Sequence, residues 1–311
     1  MPLYAYFQGQ YVPLDEAKLP IRTHAFHYGT GVFEGIRANF NQDEGQVYIF
    51  RPQDHFQRLI QSAHIIKIKV KPTVAQMVEI AQELVRRSGL KADLYIRPVA
   101  YKSEEAVANL RAHVLADDFM MFAMQMGNYL DPSKGVHCCT SSWRRVDDLS
   151  IPARAKVTGL YVNSVLAKTE AVESGFDEAI MLNNEGHVAE GTGENVFLLS
   201  GGKLVTPVST DNVLLGITRQ TVIELARKEL AMETVERSVD RSEMYTADEM
   251  FLTGTAAHIT PVTRVDHRQV GNGAIGAFTR QLQALYFDVV RGKNKKYIHW
   301  CTPAFVKVAK A

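Results

Sequence analysis

The chain has 311 residues, 46% of them hydrophobic and 22% charged, values ordinary for a globular protein and incompatible with wholesale disorder, collagen-like repeats or a fibrous architecture. At about 100 to 200 residues per domain, that length suggests two domains or one large one. Lysine and arginine number 35 against 34 acidic residues, so a net charge of +1 excludes any overall attraction to nucleic acid or anionic membrane.

The elements alternate along the chain with no repeat or low-complexity tract. YAYFQGQYV near the start suggests a hairpin, and VYIF at 47–50 alternates as a strand. RPQDHFQRLIQSAHII follows, with Phe56, Leu59, Ile60 and Ala63 at helical spacing and Arg58 on the same helix. Thr73 and Gln76 form a capping box ahead of Met77, Val78, Ala81, Leu84 and Val85, and Gly89 supplies the stop. DLYIRPVAY and FMMFAMQM read as strands. GNYLDPSKG is the most linker-like stretch and marks a domain boundary.

Beyond it come HCCTSSW, a loop with Pro152, and a helix in GLYVNSVLAKTEAVESG, where Val162, Val165, Leu166, Thr169 and Val172 recur and Gly175 ends the run. EAIMLNNEGHVAEGTGENVFLLSGGKLVTP reads as short antiparallel strands separated by NNEG and SGG. A helix starts near Thr218, strands resume in EMFLTGTAAHITPVTRV, and Ile275, Phe278, Leu282, Leu285, Tyr286 and Val289 mark a terminal helix. KKYIHWCTPAF carries no signal. The expected fold is mixed α+β.

Cys138, Cys139 and Cys301 cannot build a disulfide framework, since two are adjacent and the third is distant, which points to a reducing compartment. The N-terminal MPLYAYFQGQYVPLDE lacks a basic region followed by an apolar stretch, and no run of about 18 apolar residues occurs. A cytoplasmic location is expected. There is no Walker phosphate loop, no H-E-x-x-H, no C-x-x-C and no G-x-S-x-G. His24 and His27 lack further ligands at metal spacing, so no metal is expected. GTGVFEG at 29–35 lacks the preceding strand and the third glycine of a dinucleotide fingerprint. What stands out is a set of small-residue loops, HYGTGVFEG, AEGTGENVF, LLGITR and TGTAAHITP, each beside a strand end or helix start. Such loops bring backbone N–H groups close to an anion. With an arginine on an amphipathic helix and a lysine just before another helix, they suggest a phosphorylated cofactor.

HYGTGVFEGIR, FQRL, YIRP, PARAKVTGLYVNSVLAKTEA, HVAEGTGENVF, LLGITR and TGTAAHITPV together, over roughly residues 3–290, resemble in order and spacing the branched-chain amino acid aminotransferases, pyridoxal-phosphate enzymes of fold type IV. The resemblance implies a smaller α/β domain over 1–127, a loop at 128–135 and a larger domain over 136–311 with antiparallel β-structure and helices. It implies pyridoxal 5'-phosphate held as a Schiff base on Lys156, which would also move the proton as general acid and base. An ordinary lysine costs roughly 4 to 5 kcal/mol to deprotonate at pH 7, so the site must offset that cost. Glu190 would keep the ring nitrogen protonated. Glu194 is the competitor in the sequence, but the family pattern puts the ring contact on the first Glu and leaves the second, with Asn195, to scaffolding. Tyr161 would meet the phenolic oxygen. Arg58, Ile217, Thr218 and Thr255 would bind the phosphate.

The resemblance further implies apolar substrate walls from Phe33, Gly35 and Tyr161, with Gly35 leaving room for a branched side chain. Tyr95 and the amides of Thr255 and Ala256 would hold the α-carboxylate. Arg97, with Tyr28 and Tyr129, would meet the second carboxylate of glutamate. Family members lay part of HYGTGVFEG over a neighbouring subunit's site, so a homodimer or larger assembly is implied. The expected reaction exchanges amino groups between L-leucine, L-isoleucine or L-valine and 2-oxoglutarate. A D-amino-acid or (R)-amine transaminase and an aminodeoxychorismate lyase are the alternatives within the fold, and FEGIR with YIRP and TGTAA favours the branched-chain reading. A non-catalytic phosphate-ligand sensor would need neither Lys156 nor Glu190. Leu160, where many relatives carry Asn, and His258, where they often carry Glu, depart from the pattern.

Overall fold

The computed structural model describes residues 3–127, 129–131 and 133–305, so residues 128 and 132 of the expected boundary loop lie outside the described residues. The chain forms two compact units, one of Met1–Gly127, Ala155–Gly159 and Asp288–Ala311, the other of Asn128–Arg154 and Leu160–Phe287. The sequence suggests one boundary, near residues 128–135. Packing adds three further crossings, at 154/155, 159/160 and 287/288, and the first of them carries Lys156 into the first unit.

The first unit is built on an eight-stranded sheet. Its strands are β1 (Tyr4–Phe7), β2 (Gln10–Pro13), β3 (Gly31–Phe33), β4 (Ile36–Asn41), β5 (Gln46–Phe50), β6 (Leu94–Lys102) and β7 (Asp117–Gln125), with Cys301–Pro303 pairing along β5. The long central pair runs antiparallel from Leu94 opposite Gln125 to Lys102 opposite Asp117. Both β3 and β4 pair with β6, and the chain breaks between them at Glu34 and Gly35. Three helices belong to this unit: α1 (His24–Tyr28), α2 (Pro52–Ile65) and α3 (Val74–Ser88). Pro52 opens α2, where its missing N–H costs nothing. Thr73 and Gln76 cap α3 reciprocally, and Gly89 closes it at φ 62°. Phe56, Leu59, Met77, Leu84 and Ile96 are fully buried or nearly so in the core.

Segment 155–159 behaves as an additional strand against β3. The Phe33 amide donates to the Lys156 carbonyl at 3.1 Å, and the Thr158 amide donates to the Gly31 carbonyl at 2.8 Å. At the end of this pairing the two backbones touch: a Cβ on Gly29 would lie 2.7 Å from the Gly159 Cα. Gly29 also has φ 62°.

In the second unit, β8 (Val136–Thr140), β9 (Glu178–Leu182), β10 (Val188–Gly191), β11 (Asn195–Ser200), β12 (Lys203–Thr206), β13 (Thr234–Glu236), β14 (Glu249–Gly254), β15 (His258–Val265) and β16 (Arg268–Gln269) form a nine-stranded sheet. Its order β10-β9-β8-β15-β14-β11 closes through a β10–β11 pairing, making a six-stranded barrel. Val136, Ile180, Val196, Leu198, Leu252 and Val262 fill one core cluster. The helices are α4 (Tyr161–Glu173), α5 (Ile217–Glu229) and α6 (Ala277–Val290). Not all of the barrel is antiparallel. α4 serves as crossover between β8 and β9, which run parallel, and β8 is parallel to β15 as well.

On α4 the apolar residues that reveal the helix do not face a core. Val162 and Val165 are 63% and 60% exposed, and Leu166 and Val172 are exposed too, while Ser164, Ala167 and Ala171 are buried. Among the described residues, no helix is long and apolar enough to cross a membrane. All three cysteines are free and buried.

Replacing Gly29 with Ala combines a left-handed backbone with a clash against backbone atoms. A loss of about 2–4 kcal/mol is expected by denaturant unfolding, and a loss under about 0.5 kcal/mol would mean that the crossing at Gly159 is not tight.

Candidate active site

In the first unit, one face of α2 gathers three polar side chains. His55, Arg58 and Ser62 are three and four residues apart, hence on one side of the helix. Ser62, fully buried, accepts the Lys156 amide on its hydroxyl at 3.1 Å. Arg58 grips Glu34 through two nitrogens, Nε to Oε1 at 2.7 Å and Nη2 to Oε2 at 2.8 Å. His55 Nδ1 lies 2.7 Å from the same carboxylate. Burial alone would raise the pKa of Glu34, but the Arg58 charge and the hydrogen bonds from His55 and Arg58 hold it well below the ordinary carboxylate range. Burial pushes His55 down, against the pull of Glu34. Glu34 is therefore an anion that fixes the Arg58 fork. Sequence reasoning passes over it, although it stands inside FEGIR beside Gly35.

Lys156 is half-buried, its Nζ 5.0 Å from the centre of the Phe33 ring. Arg97 packs over the same ring at 4.5 Å and over Tyr95 at 5.1 Å, donating from Nη2 to the Tyr95 hydroxyl at 2.9 Å. Tyr95 and Arg97 share a face of β6 because they are two residues apart. The Arg97 Nε is buried without a hydrogen-bond partner, a donor suited to an incoming acceptor. A Cβ on Gly35 would sit 2.0 Å from the Tyr95 hydroxyl oxygen, so only glycine leaves that hydroxyl its place. Lys156, Phe33, Gly35, Tyr95 and Arg97 thus come together. Tyr28 ends α1, and its hydroxyl accepts the Ala108 amide at 2.7 Å.

In the second unit, AEGTGEN turns β10 into β11 and sets Glu190 opposite Asn195. Glu190 Oε1 is 2.7 Å from Arg145 Nη2, while Oε2 accepts from Asn195 Nδ2 at 3.1 Å and from the Leu214 amide at 3.0 Å. Asn195 also donates to the Leu214 carbonyl at 2.8 Å, tying this hairpin to the start of α5. A Cβ on Gly216 would lie 2.2 Å from Asn195 Oδ1, which accounts for the glycine of LLGITR. The N-terminus of α5 has no side-chain cap, and Ile217 and Thr218 there are buried. Buried first-turn amides without a cap suit an anion. Tyr161 opens α4, half-buried, behind a buried Leu160. Thr255 and Ala256 lie between β14 and β15, half-buried. His258 next to them is buried at φ 57° and packs against Phe287, ring centres 5.3 Å apart.

The same sheet carries a second acidic group, Glu178 on β9 and Glu194 in the β10–β11 turn. Glu178, fully buried, takes Lys168 Nζ at 2.7 Å and the Thr192 hydroxyl at 2.7 Å. Tyr129 packs its ring 5.4 Å from that ammonium. Glu194 accepts the Gly193 amide at 3.0 Å, and burial followed by repulsion from Glu178 pushes its carboxyl up to about 8.

Residues 31–265 match the family described as amino-transferase class IV. A probable branched-chain-amino-acid aminotransferase of Aquifex aeolicus is 50% identical over 98% of this chain and 97% of its own. The crystal structure of a branched-chain aminotransferase from Thermoproteus uzoniensis, obtained with norvaline, is similar at TM-score 0.94 and 42% identity, over 98% of this chain and 100% of that one. That of the branched-chain amino acid aminotransferase from Thermobaculum terrenum, in its PLP-form, is similar at TM-score 0.91 and 40% identity, over 98% and 99% of the two chains.

The Glu194 carboxyl has a measurable consequence. Its folded value of about 8 exceeds an unfolded value of about 4.3, so the native state holds a proton that the unfolded chain releases between those limits. Stability from this group is lost as pH rises through that window. The melting temperature of the wild type is expected to fall relative to Glu194→Gln between pH 5 and pH 8, and a constant gap would show that Glu194 titrates normally.

Proposed function

The chain belongs to the class IV aminotransferases, among the branched-chain-amino-acid aminotransferases, and from that premise we propose how it transfers amino groups between L-leucine, L-isoleucine or L-valine and 2-oxoglutarate. Its cofactor is pyridoxal 5'-phosphate, which when bound supplies the electron sink for moving a proton at the substrate's α-carbon. Lys156 carries the reading. Its main chain is fixed at both polar groups, by Ser62 and by Phe33, so the freedom that remains is in a side chain lying over an aromatic ring. A lysine held that way binds the cofactor and then takes and returns the proton at Nζ.

The donors present fit a phosphorylated pyridine. Arg58, oriented by Glu34, is assigned to the phosphate, as are the Ile217 and Thr218 amides and Thr255. Glu190 is assigned to the ring nitrogen and Tyr161 to the phenolic oxygen. Arg97, flattened between Phe33 and Tyr95 with an unused Nε, suits a carboxylate that arrives and leaves. Tyr95 and the Thr255 and Ala256 amides are assigned to the α-carboxylate, and Phe33, Gly35 and Tyr161 to the apolar side chain. Tyr28 and Tyr129 are assigned to the second carboxylate of glutamate.

The proposed protein partner is a second copy of this chain. Exposed apolar residues on α4 support it, and in the first unit so do Ile21, Phe26 and Leu110, which are 84%, 77% and 78% exposed. Buried free thiols suit a cytoplasmic setting. Light scattering is expected to give a dimer or a larger multiple, and a stable, active monomer would refute the pairing.

Assays pairing L-Leu, L-Ile and L-Val with 2-oxoglutarate should give turnover well above that on D-Ala or aminodeoxychorismate. Preference for either of the latter would overturn the substrate class. Lys156→Ala is expected to lose steady-state turnover by several orders of magnitude, and retained activity would remove Lys156 from its role.

A further inference from the structure

The assignment of Glu190 to the ring nitrogen leaves open what keeps that carboxylate charged and aimed, and the inference below rests on that assignment. We propose that Arg145 is a positioning residue for the reaction, holding Glu190 by an ion pair and maintaining its negative charge. Arg145 lies after β8, in SSWRRVDD, a stretch outside every motif of the sequence. Its neighbour Arg144 is exposed, whereas Arg145 is 5% exposed and Glu190 6%. The Arg145 amide donates to the Leu182 carbonyl at 2.8 Å, anchoring the loop to β9.

The two oxygens of Glu190 are treated differently. Oε2 receives neutral donors, the Asn195 amide nitrogen and the Leu214 N–H, which fix its direction. Oε1 receives the full positive charge of Arg145 at 2.7 Å. Neutral donors alone would orient the group. A guanidinium adds a Coulombic preference for the charged carboxylate, unscreened by water because both partners are buried.

The arrangement is also costly for a purely structural pair. Burying two charges costs several kcal/mol before their attraction is counted, and apolar residues of similar volume often stabilise a fold as well or better. Arg145 Nε is in addition buried without a hydrogen-bond partner. A charge kept under those terms points to a task beyond packing, and its direct contact is the carboxylate assigned to the ring nitrogen.

The test compares wild-type, Arg145→Gln and Arg145→Lys holoenzymes by the pH midpoint of the bound cofactor's visible absorbance, by kcat and KM for L-Leu, and by melting temperature. A positive ring nitrogen makes the neighbouring titrating nitrogen more acidic, so losing it raises the midpoint. Arg145→Gln, which keeps polar donors but no charge, is expected to raise the midpoint by about one pH unit, a tenfold change in proton affinity. It is expected to lower kcat about tenfold or more, with KM within about threefold. Arg145→Lys should keep the midpoint within a few tenths of a unit of wild type and recover most of kcat. A wild-type midpoint in Arg145→Gln, or an equal displacement in both variants, would overturn the proposal, whatever happens to the melting temperature. Should Arg145→Gln yield no folded holoenzyme, Arg145→Lys decides: a wild-type midpoint supports the role of charge and a displaced one refutes it. Failure of the functional reading itself shows separately, in a wild type that binds no cofactor or leaves L-Leu untouched.

Discussion

The backbone contact between Gly29 and Gly159 governs much of what the first unit can do. Segment 155–159 reaches β3 only because neither chain carries a side chain where they meet. The hydrogen bonds from Phe33 to Lys156 and from Thr158 to Gly31 follow from that approach, and with them the placement of the Lys156 Nζ over the Phe33 ring. The chain spends only five residues on this excursion before α4 begins in the other unit. In its proposed role of binding and releasing a partner group Lys156 would gain from such a setting, since its main chain is held at both polar groups while its side chain keeps several rotatable bonds.

Charge is balanced locally throughout. Glu34 answers Arg58, Glu190 answers Arg145, Glu178 answers Lys168, and Lys102 meets Asp117 at 2.6 Å. These pairs leave the whole chain at +1 while keeping strongly polar groups inside it. Glu194 stands apart, because the positive charge that acts on it, Lys168, is already committed to Glu178 at 2.7 Å. Its carboxyl responds by keeping a proton, the least costly way for a buried acid to lose its charge.

Local signals in the sequence were sufficient where the cause of a feature is local. The capping box at Thr73 and Gln76 and the glycine stop at Gly89 depend on a few consecutive residues, and both are present in α3. The α4 pattern located a helix but not its buried face, since Val162 and Val165 point outward and the packed residues are the small Ser164, Ala167 and Ala171. Periodicity reports that a face is apolar without saying what covers it. Cys301–Pro303 gave no strand signal because three residues are too few for a pattern, and their pairing with β5 joins positions about 250 residues apart. Nothing in the sequence marks Glu34, Ser62 or Arg145, for the same reason. Each acts on a residue that only folding brings near, and Arg145 differs from its exposed neighbour Arg144 in burial alone.

The same distinction bears on how anion recognition is built. An arginine on an amphipathic helix reads as a positive charge offered to a phosphate, yet two nitrogens of Arg58 already bind Glu34, and the pair is close to neutral. In the proposed phosphate role Arg58 would therefore add direction more than net charge, a planar fork whose orientation the buried Glu34 has set in advance. The uncapped start of α5 would contribute differently in that proposal, through main-chain dipoles that carry no formal charge and need no counter-ion. Glu190 adds a third variation, a buried carboxylate held in place by Arg145 and two neutral donors. In each case the polar group is already oriented by the protein's own main chain or by a buried partner, so little reorganisation would remain when a ligand binds, which is the condition under which buried electrostatics act most strongly.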